Sequence, residues 1–472
     1  MQVGEGEGIE GKIFLVTGGL GFVGSALCLE LARRGAREVR AFDLRLTSPF
    51  QSKLLAHQII CLQGDISRRD DVEEALCGVD CVFHLASYGM SGKEMMQYGR
   101  IDDVNINGTS LILDSCVEFG VQRLIYASTY NVVFGGQEIR NGNEALPYFP
   151  VDDHVDPYGR SKSIAERLVL KYNGRRLKGN SGKFLYTTAV RPAAIYGPGE
   201  ERHFPRIVCL AKWGLLLFKI GDDSVLTDWV FVDNLVHGLL LASVGMLDDL
   251  PGRDDPIAAG QAYFISDGSP VSTYEFLRPL LVSLGYDMPN WSISVAKALV
   301  LSKIIWLGYI LVYPWLSRGW VPQPMILPAE VYKVGVTHYF SIGKAKMELN
   351  YAPKVSPSEG MAATIAHWQK RKRKCVDGPP LYIWVFCVVG MAALICAAYA
   401  GEIWPVKVAC VIACALHVGE AAYAWFLARR VDPGNAAPWF WQTLALGYFS
   451  LAYLLPRAHP QSRPHASSPS SS

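Results

Sequence analysis

Residues Lys12–Gly35 read KIFLVTGGLGFVGSALCLELARRG. Ile13 to Val16 form a short apolar run of the kind that fits a strand buried on both faces. Gly18, Gly21 and Gly24 then punctuate a turn. Ala26, Leu27, Leu29, Leu31 and Ala32 continue as a helix that Gly35 closes. Strand, glycine turn and helix are the setting in which a nucleotide fingerprint has a mechanical reason. Glycine lets the backbone turn tightly and come close to a pyrophosphate. The helix start at Phe22, Val23 and Gly24 offers unpaired N–H groups and the positive end of a dipole. The stretch therefore predicts a dinucleotide-binding unit.

The segments that follow extend that unit. EVRAFDLR is a second strand ending at Asp43, whose carboxylate suits both hydroxyls of an adenosine ribose and repels a 2′-phosphate. This favours NAD over NADP, although Arg45 nearby can tolerate the extra phosphate. IICLQGDI is a third strand, placing Asp65 and Ile66 where an adenine is met, and CVFHLAS is a fourth with Ala86 at its end. Strands alternating with helices predict an α/β fold, a doubly wound parallel (Rossmann) sheet with its ligand at the C-terminal edge.

The chain has 472 residues, which calls for two or three domains. A formal net charge of +2 gives no global field for nucleic acid. Half the residues are hydrophobic and 19% are charged, with the apolar excess gathered at the C-terminus. Eleven cysteines include no CxxC pair. Cys77 and Cys81 could suggest a metal site with His84, but most of the cysteines read as small core residues, and no metal site is expected. Residues 1–10 are Gly/Glu-rich and read as a flexible tail without the character of a signal peptide.

Asp156–Leu170 reads DPYGRSKSIAERLVL. Pro157 suits a first helical turn, and Ile164, Ala165, Leu168 and Val169 give a partly apolar face. Tyr158 and Lys162 lie four apart and share a helix face. The spacing alone is weak, because YxxxK occurs by chance in many chains. Beside a dinucleotide fold it gains a purpose. A free phenol near pKa 10 is a poor base at neutral pH, and an adjacent ammonium favours phenolate.

Taken together, these motifs resemble the extended short-chain dehydrogenase/reductases over roughly residues 11 to 365. TGGLGFVG, HLAS, VNINGT, YGRSK, VRPAAIYGPGE and DWVFVDNLVHGLLLA follow in the family's order. Within that group, VVFGGQEIRNGNEALPY and YFISDGSPVSTYEFLRPLL resemble the 3β-hydroxysteroid dehydrogenase branch, and family 42E in particular. The resemblance implies that Tyr158 exchanges a proton with a substrate hydroxyl while hydride moves to or from nicotinamide. Lys162 would tune the phenol and hold the ribose. It places the family asparagine at Asn105, and Pro192 in the strand and loop that close over nicotinamide. The family's third hydroxyl, counted back from Gly135, falls on Tyr130. Thr129 or Ser128 takes that role instead, or Tyr130 supplies the hydroxyl, or the site is impaired. The implied reaction is NAD-dependent interconversion of a hydroxyl and a ketone on a steroid or sterol. Nucleotide-sugar modification and a low-activity NAD-binding scaffold are the alternatives.

Residues 11–195 are thus expected as the NAD-binding domain and 196–365 as a smaller, mostly helical substrate domain. Within the latter, Ala298–Leu316 is an apolar run whose one charge is Lys303. It suits a core helix, a substrate lid, an interfacial helix or, less readily, a span. The basic run QKRKRK, Gln369 to Lys374, lies in a linker over 366–380 and reads as a membrane flank rather than a nuclear signal. Leu381–Ala400, Val408–Ala428 and Trp439–Leu455 then predict about three transmembrane helices within residues 381–456, and the segment resembles a small membrane-protein family. His417 and Glu420 are ionisable neighbours inside the second run. The positive-inside rule puts the catalytic domain in the cytosol, with the endoplasmic reticulum as the expected membrane. Three spans would make the disordered tail, 457–472, lumenal. The expected partners are a steroid or sterol, the lipid bilayer and, in a homodimer, a second copy of the chain; nucleic acid is not among them.

Overall fold

β1 (Ile13–Thr17), β2 (Glu38–Asp43), β3 (Ile60–Gln63), β4 (Cys81–His84), β5 (Arg123–Ala127), β6 (Phe184–Pro192) and β7 (Ala262–Ile265) pair in parallel in the order β7-β6-β5-β4-β1-β2-β3. Arg175–Arg176 adds a short antiparallel edge to β6. The molecule is described here from a computed structural model over residues 6–178, 182–247, 256–312, 326–373, 378–401 and 404–458. The apolar run beyond residue 312 and the tail beyond residue 458 therefore lie outside the described residues.

β1 and β4 are buried along their whole length, as parallel strands covered on both faces must be. One apolar layer lies against α1 (Phe22–Arg33) and α4 (Val232–Val244). The other lies against α2 (Gly108–Phe119) and α3 (Pro157–Tyr172). Strand order reverses between β1 and β4, and this reversal opens the crevice in which doubly wound sheets bind ligands. Residues 6–10, expected in the flexible tail, are instead folded into turns. Ile9 is fully buried in the core, and Gly8 O accepts from Arg123 Nη2 at 3.2 Å.

Among the described residues there are three smaller parallel pairs besides the sheet: Ala194–Tyr196 with Trp229–Phe231, Ile139–Gly142 with His338–Phe340, and Lys219–Ile220 with Ser292–Ile293. α5 (Val295–Val312) takes up the apolar run and buries Ala298 and Ser302. It turns Val300, Ile304, Leu307 and Leu311, each 54–64% exposed, outward as one stripe at helical spacing. A plain core helix would have covered that stripe.

The chain divides into two units, and the division falls inside α6 (Pro357–Arg373). The first unit comprises Met1–Glu201, Phe218–Leu277 and Asn290–Ala363. The second comprises Arg202–Leu217, Arg278–Pro289 and Thr364–Ser472. Within it the basic run is helical through Arg373, and Lys372 Nζ donates to Leu284 O at 2.5 Å. α7 (Leu381–Ala400) begins where Leu381 N donates to Trp213 O at 3.0 Å. α8 (Trp404–Val431) follows, then α9 (Ala436–Leu446) and α10 (Tyr448–Ala458). Among the described residues, α7 and α8 are long and apolar enough to cross a membrane.

The expected third span, Trp439–Leu455, is not one helix. The chain breaks at Gly447, which has φ +57°. Thr443 Oγ1 donates to Ser450 Oγ at 3.0 Å, and Gln442 Nε2 donates to the same oxygen at 3.2 Å. Residues seven apart on a straight helix are separated by about 10 Å along its axis, so α10 folds back on α9. Each half has 11 residues, about 16 Å of helix, roughly half of what a bilayer core requires. Both pack with α8 in a cluster of Ala424, Ala428, Ala436, Trp439, Leu451 and Leu454.

Candidate active site

The glycine turn is shaped by contacts that exclude side chains. Gly18 has φ +69°, and a Cβ there would lie 3.0 Å from Ala86 N across the crevice. A Cβ on Gly24 would collide with Gly18 O at 2.1 Å. Gly21 is the N-cap of α1 and supplies no side chain, so the first N–H groups, at Phe22 and Val23, point into the turn. Asp43 ends β2 with its carboxylate accepting from Leu20 N at 3.2 Å, which holds it over the same turn. Burial pushes its pKa up, against backbone donors from Leu20, Arg45 and Leu44. Asp65 is partly committed, accepting from Ser67 N and Oγ at 2.9 and 2.7 Å, and Ile66 is buried beside Gly108. A cradle that only glycine can line, a helix N-terminus and a carboxylate at the end of β2 fit a dinucleotide.

A buried hydrogen-bond chain links this turn to the catalytic helix, and sequence reasoning missed it. His84 Nδ1 lies 2.7 Å from Thr17 Oγ1, and His84 Nε2 lies 3.0 Å from Thr109 Oγ1. Thr109 Oγ1 donates to Asn105 O, so it accepts from His84. The proton is therefore on Nε2, and Nδ1 accepts from Thr17, whose Oγ1 accepts in turn from Ala86 N. Burial pushes the His84 pKa down to about 3, with the Lys162 cation acting in the same direction. Asn105 continues the chain. Its amide accepts from Tyr88 N and donates to Tyr88 O and Ser161 Oγ, and Ser161 Oγ donates to Tyr158 O. The available signal was a histidine inside an apolar strand, a residue more often buried for packing alone.

α3 begins as its sequence predicts. Asp156 caps Gly159 N, Pro157 occupies the first turn, and Lys333 Nζ sits 3.0 Å from the Asp156 carboxylate. Tyr158 and Lys162 are both buried on the inner face of the helix. Lys162 Nζ donates to Ala127 O at 2.5 Å and lies 4.1 Å from the centre of the Tyr126 ring. Burial brings the Lys162 pKa down to about 7, and the Glu166 carboxylate opposes that shift. Glu166, one further turn along, is fully buried. It pairs with Arg191 on β6 through contacts of 2.6 and 3.0 Å to Oε1, and it also accepts from Tyr148 OH at 2.8 Å. Sequence reasoning passed over this pair, although Glu166 is a lone carboxylate on the apolar face of the helix that carries YxxxK.

The three candidates for the remaining hydroxyl have different surroundings. Ser128 Oγ donates to Glu166 and is drawn toward that ion pair. Thr129 caps the short 3₁₀ turn Tyr130–Val132, its Oγ1 accepting from Asn131 N at 3.2 Å and keeping its own proton for another acceptor. Tyr130 packs its ring against Phe134, His338 and Phe340, and burial pushes its pKa up. Pro192 closes β6, one residue beyond Arg191.

A family model described as the 3-beta hydroxysteroid dehydrogenase/isomerase family matches residues 15–295. The chain belongs to this family. It is accordingly an NAD-dependent oxidoreductase. It is similar to short-chain dehydrogenase/reductase family 42E member 1 of Danio rerio, 44% identical over 385 residues, covering 81% of this chain and 95% of the relative. It is also similar to 3-beta-hydroxysteroid dehydrogenase of Mycolicibacterium neoaurum, 35% identical over 360 residues, covering 75% and 90% of the two chains. Among solved structures, a double mutant of the dTDP-glucose 4,6-dehydratase DesIV of Streptomyces venezuelae, with NAD and DAU bound, matches with a TM-score of 0.57. Its sequence identity is 23%, and the match covers 76% of this chain and 97% of that one. That likeness shows the fold alone. Residues 401–456 match a second family model, Transmembrane protein 254.

Proposed function

We propose that this member of the 3-beta hydroxysteroid dehydrogenase/isomerase family is a membrane-anchored enzyme that interconverts a hydroxyl and a ketone on a steroid or sterol. The observation that carries the reading is Tyr158 buried one turn before a buried Lys162, on the helix tied by hydrogen bonds to the glycine turn. The cofactor would be held by Gly18, Gly21, Phe22, Val23 and Gly24 at the turn, and by Asp43, Asp65, Ile66 and Ala86 at the strand ends. Asn105, Lys162 and Pro192 would complete its nicotinamide end. Bound NAD supplies the hydride acceptor or donor. Tyr158 takes the substrate hydroxyl's proton in oxidation and returns it in reduction. In its protonated form Lys162 puts a cation one helical turn from the phenol, on the same helix face, and a cation there favours phenolate and eases proton transfer at Tyr158. We assign the orienting of the substrate oxygen to Thr129, a choice supported by the engagement of Ser128 with Glu166 and by the Thr129 proton that its own bond leaves uncommitted.

The two long apolar helices and the outward stripe of α5 support a lipid-borne substrate. The basic end of α6 before α7, and Arg429–Arg430 at the end of α8, favour a cytosolic catalytic side, and the membrane we propose is that of the endoplasmic reticulum. The test is turnover of the full-length protein in membranes with NAD and a panel of hydroxysteroids and sterols. Tyr158→Phe should lower the rate by about 10²–10⁴ and leave NAD affinity nearly unchanged. A fully active Tyr158→Phe would refute the chemistry, and turnover of a nucleotide-sugar instead would refute the substrate class.

A further inference from the structure

His417 and Glu420 lie near the middle of α8, between Lys407 and Arg429. Each is about 15 Å from the nearer of those two charges, which is the centre of a hydrocarbon core about 30 Å thick. Ionisable groups at that depth demand a reason. The fold of the last two helices supplies one. α9 starts after the turn that ends α8 and runs back along it until Leu444 reaches His417. There His417 Nδ1 donates to Leu444 O at 2.9 Å. That carbonyl belongs to the last turn of α9 and has no helical partner, and no water is present at that depth to satisfy it. Three residues on, Gly447 reverses the chain. A Cβ on Gly447 would stand 2.7 Å from Glu420 Oε2 and 3.0 Å from His417 Nε2, so the turn seats directly on both side chains. α10 then returns along α9, tied by the bonds from Gln442 and Thr443 to Ser450.

We propose that α9 and α10 form a re-entrant hairpin whose apex, Gly447, is seated on His417 and Glu420 in mid-membrane. The chain then crosses the bilayer twice, and its C-terminal segment returns to the side that carries the basic end of α6. This inference rests on the reading that α7 and α8 span the membrane. It reverses the lumenal tail expected from three spans. It also gives His417 and Glu420 a task, holding a helix break where lipid offers no hydrogen bonds.

The test uses the full-length chain in microsomes, with a spacer-flanked N-glycosylation acceptor inserted after Gly401 or after Pro460. The acceptor after Gly401 should be modified and the one after Pro460 should not. Independently, Thr443→Cys with Ser450→Cys should form an intrachain disulfide on mild oxidation, with the single-cysteine variants as controls. Gly447→Leu should abolish that crosslink, whereas Gly434→Leu, which has open space around it, should leave it intact. Modification at both acceptors, or absence of the crosslink in the otherwise unaltered chain, overturns the hairpin while leaving the spanning reading in place. An unmodified acceptor after Gly401 overturns the spanning reading itself, and the proposal falls with it.

Discussion

Replacing Lys162 by methionine separates the chemistry of the site from its stability. The lysine is buried, and its pKa falls from 10.5 to about 7. Between those values the unfolded chain holds the proton more completely than the folded one, so the stability of the wild type rises with pH across that window. Below pH 7 both states are protonated and the full burial penalty stands, about 5 kcal/mol; above 10.5 it is gone. At pH 7 the penalty is about 4 kcal/mol, and by pH 9.5 it has fallen to about 1 kcal/mol. Methionine has similar reach and no charge, so it removes this term. Against that gain, Ala127 O loses its donor, at a cost of about 1–3 kcal/mol, and the Tyr126 ring loses its cation, worth about 1–2 kcal/mol. The two sides nearly balance at pH 7, so Lys162→Met should fold with close to wild-type stability while losing turnover. The diagnostic quantity is the stability difference, variant minus wild type, which should fall by about 3 kcal/mol between pH 7 and 9.5. Denaturant unfolding of both full-length proteins in one detergent, followed by tryptophan fluorescence, measures it. A difference that stays flat with pH would refute the argument that burial governs this lysine.

Three further outcomes are expected. Asp43→Ala should shrink a preference for NAD(H) over NADP(H) of at least about tenfold, or 1.4 kcal/mol, and equal wild-type affinities by calorimetry would contradict the role given to that carboxylate. Glu166→Gln leaves Arg191 buried without its counter-charge and should cost about 3–5 kcal/mol in denaturant unfolding; a near-neutral result would mean that water reaches the pair. Thr129→Val should lower kcat by about 10²–10⁴ while Ser128→Ala acts mainly on stability, and the opposite pattern in steady-state kinetics would reassign the substrate-orienting hydroxyl.

The features determined by sequence alone were those whose physics is local. A glycine turn between a buried strand and a helix needs only about twenty consecutive residues to declare itself, because glycine's freedom and the unpaired helix N–H groups act within that span. The placement of Tyr158 and Lys162 on one face follows from helical spacing alone. Other features depended on partners distant in sequence. Ile9 reads as part of a Gly/Glu-rich tail, yet Arg123, more than a hundred residues away, anchors the turn that buries it. Glu166 is one carboxylate among many until β6 brings Arg191 against it and Ser128 turns toward it. That contact, rather than any motif, separates Ser128 from Thr129. The same limit applies in the membrane segment. Trp439–Leu455 carries no charged residue and is mostly apolar, and composition cannot distinguish a span from a hairpin of equal length. Gly447 permits the turn, but the partners that hold it, His417 and Glu420, lie on another helix. Only packing α9 and α10 against α8 brings the glycine, the histidine and the carboxylate together.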